Sequence, residues 1–183
     1  MARNIEIKAR VEDLPALEAS AAALADQGPI DIAQDDTFFH CPAGRLKLRR
    51  FSATEGELIF YRRAATAGPK ESFYLRTPTA EPDALRETLA LAWGVAGRVI
   101  KQRRLYLAGR TRIHLDRVQG LGAYMELEVV LREGESAEAG VQEADALLAR
   151  LGIAPAQRVA GAYVDLLAAL SASACPAAPC SAP

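Results

Sequence analysis

The stretch 111–131 constrains the fold most, because it predicts two β-strands joined by a glycine-containing turn. Polar and apolar side chains alternate in both strands, so each strand has one charged face and one apolar face. The polar positions are Arg112, His114 and Asp116 in the first strand and Glu126 and Glu128 in the second. Residues 119–122, Gln-Gly-Leu-Gly, supply the turn. Such a hairpin either exposes its charged face to water or belongs to a sheet whose charged faces enclose a space.

Length and charge exclude several classes of protein. The chain has 183 residues, half of them hydrophobic, and a formal charge of −1. This predicts one domain with a substantial core and no attraction to nucleic acid or to an anionic membrane. No apolar run approaches the ~20 residues of a membrane span, and the start has no apolar signal-peptide region, so we expect a cytoplasmic protein. Cys41, Cys175 and Cys180 lack metal-ligand spacing and predict neither a disulfide framework nor a zinc site.

Hydrophobic periodicity predicts a strand-dominated α+β domain over residues 1–170. The strands are predicted at 4–11, 45–50, 57–63, 71–77 and 98–107 and in the hairpin, and the helices at 16–25, 84–93, 138–151 and 157–170. Asp13 is the expected N-cap of the first helix. Residues 30–44 are interpreted as a short extended piece in which 35–37 cap or turn, and Pro78 as the end of its strand. Residues 171–183, rich in Ala, Ser and Pro, predict a disordered tail.

The polar faces of the remaining strands are also charged. They carry Glu6, Lys8, Arg45, Lys47, Arg49, Arg63, Lys101 and Arg103. One interpretation is that these faces are the wet side of one sheet. However, like charges at i, i+2 and i+4 repel at close range, and the amphipathic helices need apolar sheet surface to cover. Helices on the apolar faces would leave the charged faces lining the inside of a curled or closed sheet.

A lumen of this kind suits a particular ligand chemistry. Many fixed cations around one cavity are costly unless a polyanion neutralises them. Carboxylates at one side would bind a hard divalent cation such as Mg²⁺ or Mn²⁺ through oxygen. A phosphate chain with a bound metal requires both groups at once.

Six segments occur in order along the whole predicted domain: NIEIK at 4–8, GRLKLRR at 44–50, LIFYRR at 58–63, VIKQRRLY at 99–106, TRIHLD at 111–116 and ELE at 126–128. This series resembles the CYTH family, the triphosphate tunnel metalloenzymes, and NIEIK resembles the ExExK signature of that family. The resemblance implies an antiparallel eight-stranded β-barrel that holds a triphosphate, with helices packed outside.

The resemblance also implies roles for individual residues. Glu6, Lys8, Glu126 and Glu128 would be catalytic, and Mg²⁺ or Mn²⁺ would be bound by Glu6, Asp116, Glu126 and Glu128. The triphosphate would be bound by Lys8, Arg45, Lys47, Arg49, Arg63, Lys101, Arg103 and Arg112, with Lys70 or Arg76 as alternatives to Arg45. Asn4 stands in place of the first acid of the signature, which implies weaker binding of one metal or changed surroundings for it.

The family includes class IV adenylyl cyclases, thiamine triphosphatases and inorganic triphosphatases. We therefore expect a metal-dependent enzyme that processes a triphosphate, first of all an adenylyl cyclase-like enzyme that converts ATP to cyclic AMP and pyrophosphate. The alternatives are a hydrolase of tripolyphosphate or of a nucleoside or thiamine triphosphate, and a non-catalytic triphosphate or polyphosphate sensor, which Asn4 favours. His114 is interpreted as a structural hydrogen-bonding residue, with a proton carrier as the alternative. An exposed sheet edge or helix could pair two copies into a homodimer.

Overall fold

A computed structural model describes residues 3–63 and 70–174, without the side chains of residues 63, 70–72 and 174. The strands are β1 (Arg3–Arg10), β2 (Gln27–Phe39), β3 (Arg45–Arg50), β4 (Gly56–Arg63), β5 (Lys70–Thr79), β6 (Val95–Ala108), β7 (Thr111–Val118) and β8 (Gly122–Val130). The helices are α1 (Leu14–Leu24), α2 (Pro82–Trp93), α3 (Ala137–Arg150) and α4 (Tyr163–Ala174), with a 3-10 turn at Pro155–Gln157.

The strands form a closed barrel in the order β1-β5-β4-β3-β2-β6-β7-β8. Every pairing is antiparallel, and β1 closes the ring by pairing with β5 on one side and β8 on the other. This confirms the predicted α+β fold, an antiparallel eight-stranded barrel with helices outside. Since strand side chains alternate, one face of each strand points into the lumen and the other outward.

The outward faces of most strands are apolar and covered by helices. Helices α1 and α3 cover β1, β7 and β8, where side chains such as Ile5, Ile113 and Leu127 are at most 1% exposed. Helix α2 contributes Leu89 to a second cluster that covers Leu48 on β3. Each fully buried side chain of this size contributes about 1.5–3 kcal/mol. The apolar stripes therefore decide which face of the sheet turns outward.

The predicted helix cap at Asp13 and the predicted glycine turn between β7 and β8 are both confirmed. The Asp13 carboxylate accepts a hydrogen bond from the Ala16 backbone N–H at 3.0 Å and caps α1. The turn between β7 and β8 places Gly120 and Gly122 at φ of 79° and 94°, a conformation that favours glycine.

The extended piece predicted within residues 30–44 is longer than expected, because residues 30–39 belong to the 13-residue strand β2. This strand pairs with β6 from Gln27 to Phe39 and with β3 over its last five residues. Asp35 and Asp36 lie within the strand and not in a turn. Aspartate is uncommon in β-strands. Here, however, arginines on the neighbouring strands pair with the carboxylates of Asp35 and Asp36.

Pro78 does not end its strand, because β5 continues to Thr79. Among the described residues, β5 pairs at this point with β4 alone, since its pairing with β1 reaches no further than Phe73. A proline without an N–H donor is tolerated where a strand lacks a second neighbour.

The last helix begins later than predicted, at Tyr163 instead of residue 157. Gly161 adopts φ of 83°, which interrupts helical geometry. The segment before it crosses one end of the barrel, where the Val159 N–H donates to the Lys8 carbonyl at 2.9 Å. Helix α4 extends to Ala174, and residues 175–183 of the predicted tail lie outside the described residues. In the part of the chain that the structure describes, no helix combines the length with the hydrophobicity that a membrane span requires.

Candidate active site

The lumen contains a cavity of about 360 Å³ lined by side chains from all eight strands. Its basic lining residues in the described part of the chain are Lys8, Lys47, Arg49, Arg76, Lys101, Arg103 and Arg112, and its acidic ones are Glu6, Asp36, Glu57, Glu126 and Glu128. Ala162 and Tyr163 lie across one end, and both are only 5% exposed. The side chains of Arg76 and Arg112 are 56% and 39% exposed. The lumen is therefore open to solvent where these two arginines lie.

Three glutamates form a compact group on β1 and β8. Glu6 lies opposite Glu128 in the register of these strands, and Glu126, two residues before Glu128 on β8, lies opposite Lys8. Carboxylate oxygens of Glu6, Glu126 and Glu128 lie within 4.8 Å of one another. Burial raises the pKa of Glu126, but Lys8 and Arg103 outweigh this effect and hold the pKa well below its ordinary value. Glu126 is thus ionised, with Lys8 Nζ at 3.7 Å and Arg103 Nη2 at 3.3 Å from its Oε2.

The donor set of this group fits a hard divalent cation. Carboxylate oxygens are the ligands that Mg²⁺ and Mn²⁺ prefer. Asn4 lines the same cavity, and its buried Oδ1 has no hydrogen-bond partner among the described residues. An unpartnered buried amide oxygen is unfavourable unless another group binds it. Asn4 is therefore available as a neutral oxygen ligand next to the three glutamates.

A second carboxylate, Asp36 on β2, organises the basic residues of β3. Its Oδ1 accepts from Arg49 Nε at 2.7 Å, and its Oδ2 accepts from Arg49 Nη2 at 2.8 Å and from Lys47 Nζ at 2.7 Å. Asp36 is 2% exposed. Burial raises its pKa, but Lys47 and Arg49 outweigh this effect and hold it far below its ordinary value. The aspartate is therefore a buried anion shared by two cations.

Asp116 on β7 has the same arrangement with the basic residues of β6. It accepts from Arg103 Nε at 2.7 Å and Nη2 at 2.6 Å, from Lys101 Nζ at 3.2 Å and from the Tyr163 hydroxyl at 2.9 Å. It is fully buried and does not line the cavity. We therefore leave Asp116 out of the candidate metal ligands and assign it to the support of Arg103 and Lys101.

The other predicted phosphate-binding residues divide into three groups. Lys8 and Arg112 face the cavity, and Arg112 Nη1 lies 3.2 Å from Glu128 Oε2. Arg45 lies outside the cavity lining, where its half-exposed guanidinium donates to both oxygens of Asp165 at 2.7 and 2.8 Å. Arg63 ends β4, but its side chain lies outside the described residues, as does that of Lys70.

His114 faces the cavity and is 5% exposed. Both ring nitrogens are buried without a hydrogen-bond partner among the described residues. Burial and the positive charge of Arg103 lower its pKa to about 4, so the imidazole is neutral near pH 7. The interpretation of His114 as a structural hydrogen-bonding residue therefore finds no partner among the described residues.

Sequence reasoning missed two residues of the site. Asp36 was detectable in principle, because Ile32, Gln34, Asp36 and Phe38 keep the period of two and all face the lumen. Acids on the outer face of β2 obscured this pattern. Tyr163 had no local signal, since only the closed barrel brings the start of α4 over the lumen. There its ring centroid lies 4.2 Å from Lys8 Nζ and 5.0 Å from Lys101 Nζ.

Solved structures with the same architecture come from several organisms. The PH1012 protein from Pyrococcus horikoshii OT3 is 22% identical and superposes with a TM-score of 0.79, covering 90% of this chain and 99% of its own. A putative adenylate cyclase from Vibrio parahaemolyticus is 20% identical, with a TM-score of 0.68 and coverage of 90% and 97%. The Hippeastrum protein HpAC1, a putative adenylyl cyclase described as having a dominant triphosphatase activity, is 16% identical, with a TM-score of 0.60 and coverage of 92% and 96%. At these identities the similarities show the fold alone.

A search of curated proteins found no match. The family model described as the CYTH domain matches residues 2–163, which span all eight strands of the barrel and the residues that close its end. The chain therefore belongs to the CYTH domain family.

Proposed function

We propose that this protein is a metal-dependent enzyme that acts on the triphosphate group of a small molecule, with the conversion of ATP to cyclic AMP and pyrophosphate as its leading reaction. One observation carries the proposal: a single enclosed lumen presents lysines and arginines from several strands to three clustered glutamates. A triphosphate with a divalent metal needs both kinds of group within reach.

The basic residues bind and orient the phosphates. Lys8, Lys47, Arg49, Lys101, Arg103 and Arg112 would supply the positive charge. Because the lumen is closed at one end and most of these side chains are shielded from water, their attraction for phosphate oxygens exceeds that of exposed residues. Arg103 also contacts Glu126, so the same guanidinium would orient a phosphate and a metal-ligating carboxylate.

The glutamates would hold Mg²⁺ or Mn²⁺. Glu6, Glu126 and Glu128 supply carboxylate oxygens, and Asn4 supplies a neutral amide oxygen in place of a fourth carboxylate. A bound divalent metal would neutralise charge on the phosphoryl oxygens in the transition state. Since Asn4 carries no charge, we expect weaker binding of one metal than a site with a fourth carboxylate would show.

Apolar side chains in the same cavity support a substrate with an organic part. Ile32, Phe51 and Leu105 line the cavity and are half-buried. The cavity volume of about 360 Å³ lies near the lower end of the range of roughly 300–1,000 Å³ for small-molecule sites. It therefore suits a compact polyanion with the rest of the molecule held nearer to solvent, as ATP would require.

Hydrolysis of a triphosphate is the second candidate. The same basic and acidic residues serve either reaction: a ribose hydroxyl in line with the α-phosphorus leads to cyclisation, and water in line with the γ-phosphorus to hydrolysis. The Hippeastrum protein shares the fold and is described as having a dominant triphosphatase activity despite its cyclase name. This description supports hydrolysis as the second candidate function.

Product analysis separates these candidates. We expect incubation with ATP and Mg²⁺ or Mn²⁺ to yield cyclic AMP and pyrophosphate, measured by chromatography with tripolyphosphate and thiamine triphosphate as parallel substrates. Release of orthophosphate without any cyclic nucleotide would replace the cyclase with a hydrolase. Metal-dependent binding of a triphosphate without turnover of any of the three compounds would instead indicate a sensor.

Lys101 predicts that binding is coupled to proton uptake. Burial, with a smaller contribution from Arg103, lowers the pKa of Lys101 to about 7, so its amine is largely neutral at pH 8. A bound polyanion stabilises the ammonium and raises this pKa. Uptake by Lys101 should therefore be small below pH 7 and approach one proton per site above it.

Calorimetry can test this coupling. Tripolyphosphate binding without metal would be measured at pH 6 and pH 8 in buffers of different ionisation enthalpy. The matched control is Lys101→Arg, which carries a permanent positive charge and does not titrate. Protons released by the ligand are the same in both proteins and are therefore accounted for. Equal proton stoichiometry in wild type and variant at pH 8 would contradict the prediction.

A further inference from the structure

Asp36 neutralises Arg49 and Lys47 and also fixes the orientation of the Arg49 guanidinium. It lies directly opposite Arg49 in the register of β2 and β3, and both of its oxygens accept from the Nε and Nη2 edge of that guanidinium. A bidentate pair of this kind fixes the guanidinium plane. Among the described residues the Nη1 group of Arg49 has no hydrogen-bond acceptor, which leaves it for a bound molecule.

Lys47 is confined by the same carboxylate and by two aromatic rings. Its Nζ lies 2.7 Å from Asp36 Oδ2, 5.5 Å from the Phe38 ring centroid and 5.7 Å from the Tyr61 ring centroid. Without Asp36, Lys47 and Arg49 would be like charges two residues apart on one strand, and would repel. Asp36 thus holds two repelling cations side by side in the cavity wall.

The same unit occurs a second time in the barrel. Arg103 lies directly opposite Asp116 in the register of β6 and β7 and is held through the same Nε and Nη2 edge, with Lys101 two residues earlier sharing the carboxylate. Two Lys-x-Arg pairs on different strands, each with an aspartate on the adjoining strand, line one cavity. This repetition indicates that the orientation of the arginine, as well as its charge, matters to the site.

We propose that Asp36 is a positioning residue that orients Arg49 and Lys47 for the transition state of phosphoryl transfer. The inference rests on the proposed function of the lumen. Asp36 itself would not contact the substrate productively, because a carboxylate repels phosphate oxygens. It acts through the two cations that it holds.

This role predicts opposite effects on binding and on turnover. Asp36→Asn keeps the shape of the side chain but removes one negative charge from the lumen, so tripolyphosphate should bind at least as tightly as to wild type. The amide also presents a donor to the cations, so Arg49 and Lys47 lose their fixed orientation. A displacement of a catalytic group by about 1 Å can cost about 100-fold in rate. We therefore expect kcat to fall by roughly 10- to 100-fold.

The experiment compares Asp36→Asn with the matched control Asp35→Asn. Asp35 is the preceding residue on β2 and also makes a bidentate pair, but with the exposed Arg98 outside the barrel. The dissociation constant of tripolyphosphate would be measured by calorimetry, and kcat with the substrate that wild type turns over. The Arg49 Nε–H resonance, assigned with Arg49→Lys, reports the orientation without activity and should be lost only in Asp36→Asn. An unchanged or higher kcat in Asp36→Asn would overturn the proposal and make Asp36 a mere counter-charge.

A second pair of variants covers the case in which Asp36→Asn fails to fold. Lys47→Met leaves the bidentate pair of Asp36 and Arg49, whereas Lys47→Met with Asp36→Asn removes one charge of each sign. The double variant should be roughly 10-fold slower than Lys47→Met, and equal rates would refute the role. If the wild-type protein neither binds nor turns over a triphosphate, the proposed function is refuted. The Arg49 Nε–H resonance still tests, without any activity, whether Asp36 fixes the orientation of Arg49.

Discussion

Replacing Glu126 and Glu128 together with glutamine is expected to lower metal-dependent turnover by about 1,000-fold or more while the barrel stays folded. A bound metal contributes several kcal/mol to transition-state stabilisation, and each 1.36 kcal/mol is about tenfold in rate. Both residues belong to the acidic cluster with Glu6. Glutamine retains the size and one oxygen of each side chain but removes two negative charges, so the divalent cation loses most of its attraction to the site.

Turnover with Mg²⁺ and with Mn²⁺, together with Mn²⁺ affinity followed by electron paramagnetic resonance, would test this expectation. The matched control is Glu133→Gln with Glu138→Gln, which removes the same charge from two exposed positions outside the barrel. Circular dichroism would establish that both double variants are folded. Wild-type turnover in the Glu126 and Glu128 variant would exclude these residues from the metal site.

Arg103→Met should have the largest effect on stability, lowering the free energy of unfolding by about 3–5 kcal/mol. Arg103 makes two of the four hydrogen bonds to the fully buried Asp116 and also contacts Glu126. Its removal leaves buried carboxylates without their strongest partner. Urea unfolding at pH 7 would measure the loss.

Arg98→Met is the matched control on the same strand. Arg98 also forms a bidentate pair, with Asp35, but its side chain is 53% exposed, and an exposed pair contributes only about 0–1 kcal/mol. A similar loss in both variants would contradict the role assigned to burial.

The pH dependence gives a second test of Arg103. Burial raises the pKa of Asp116, but Arg103 and Lys101 outweigh this effect and hold it below the ordinary value of 3.8. The stabilisation from a depressed carboxyl pKa is present above the unfolded pKa and is lost as the pH falls. The difference between wild type and Arg103→Met should therefore shrink below about pH 4. A difference that stays constant through this range would contradict the ion pair as its source.

The alternation of polar and apolar residues carries most of the fold and much of the site. Seven strands were predicted because their charged and apolar residues keep a period of two. The same alternation placed Lys47, Arg49, Lys101 and Arg112 on the inner faces, where the structure has them. The eighth strand, β2, was not recognised as a full strand, because both of its faces carry acids.

Residue types and their spacing determined that each strand has a charged and an apolar face, and the family resemblance implied that the charged faces line a closed barrel. Like charges two residues apart on one strand also require a counter-ion nearby. Residue types and spacing did not decide which carboxylate meets which cation. Asp116 became a support for Arg103, Arg45 paired outside with Asp165, and Tyr163 came to lie over the lumen. These partnerships depend on strand register and on the path of the chain after residue 155, and both arise only when segments far apart in sequence pack together.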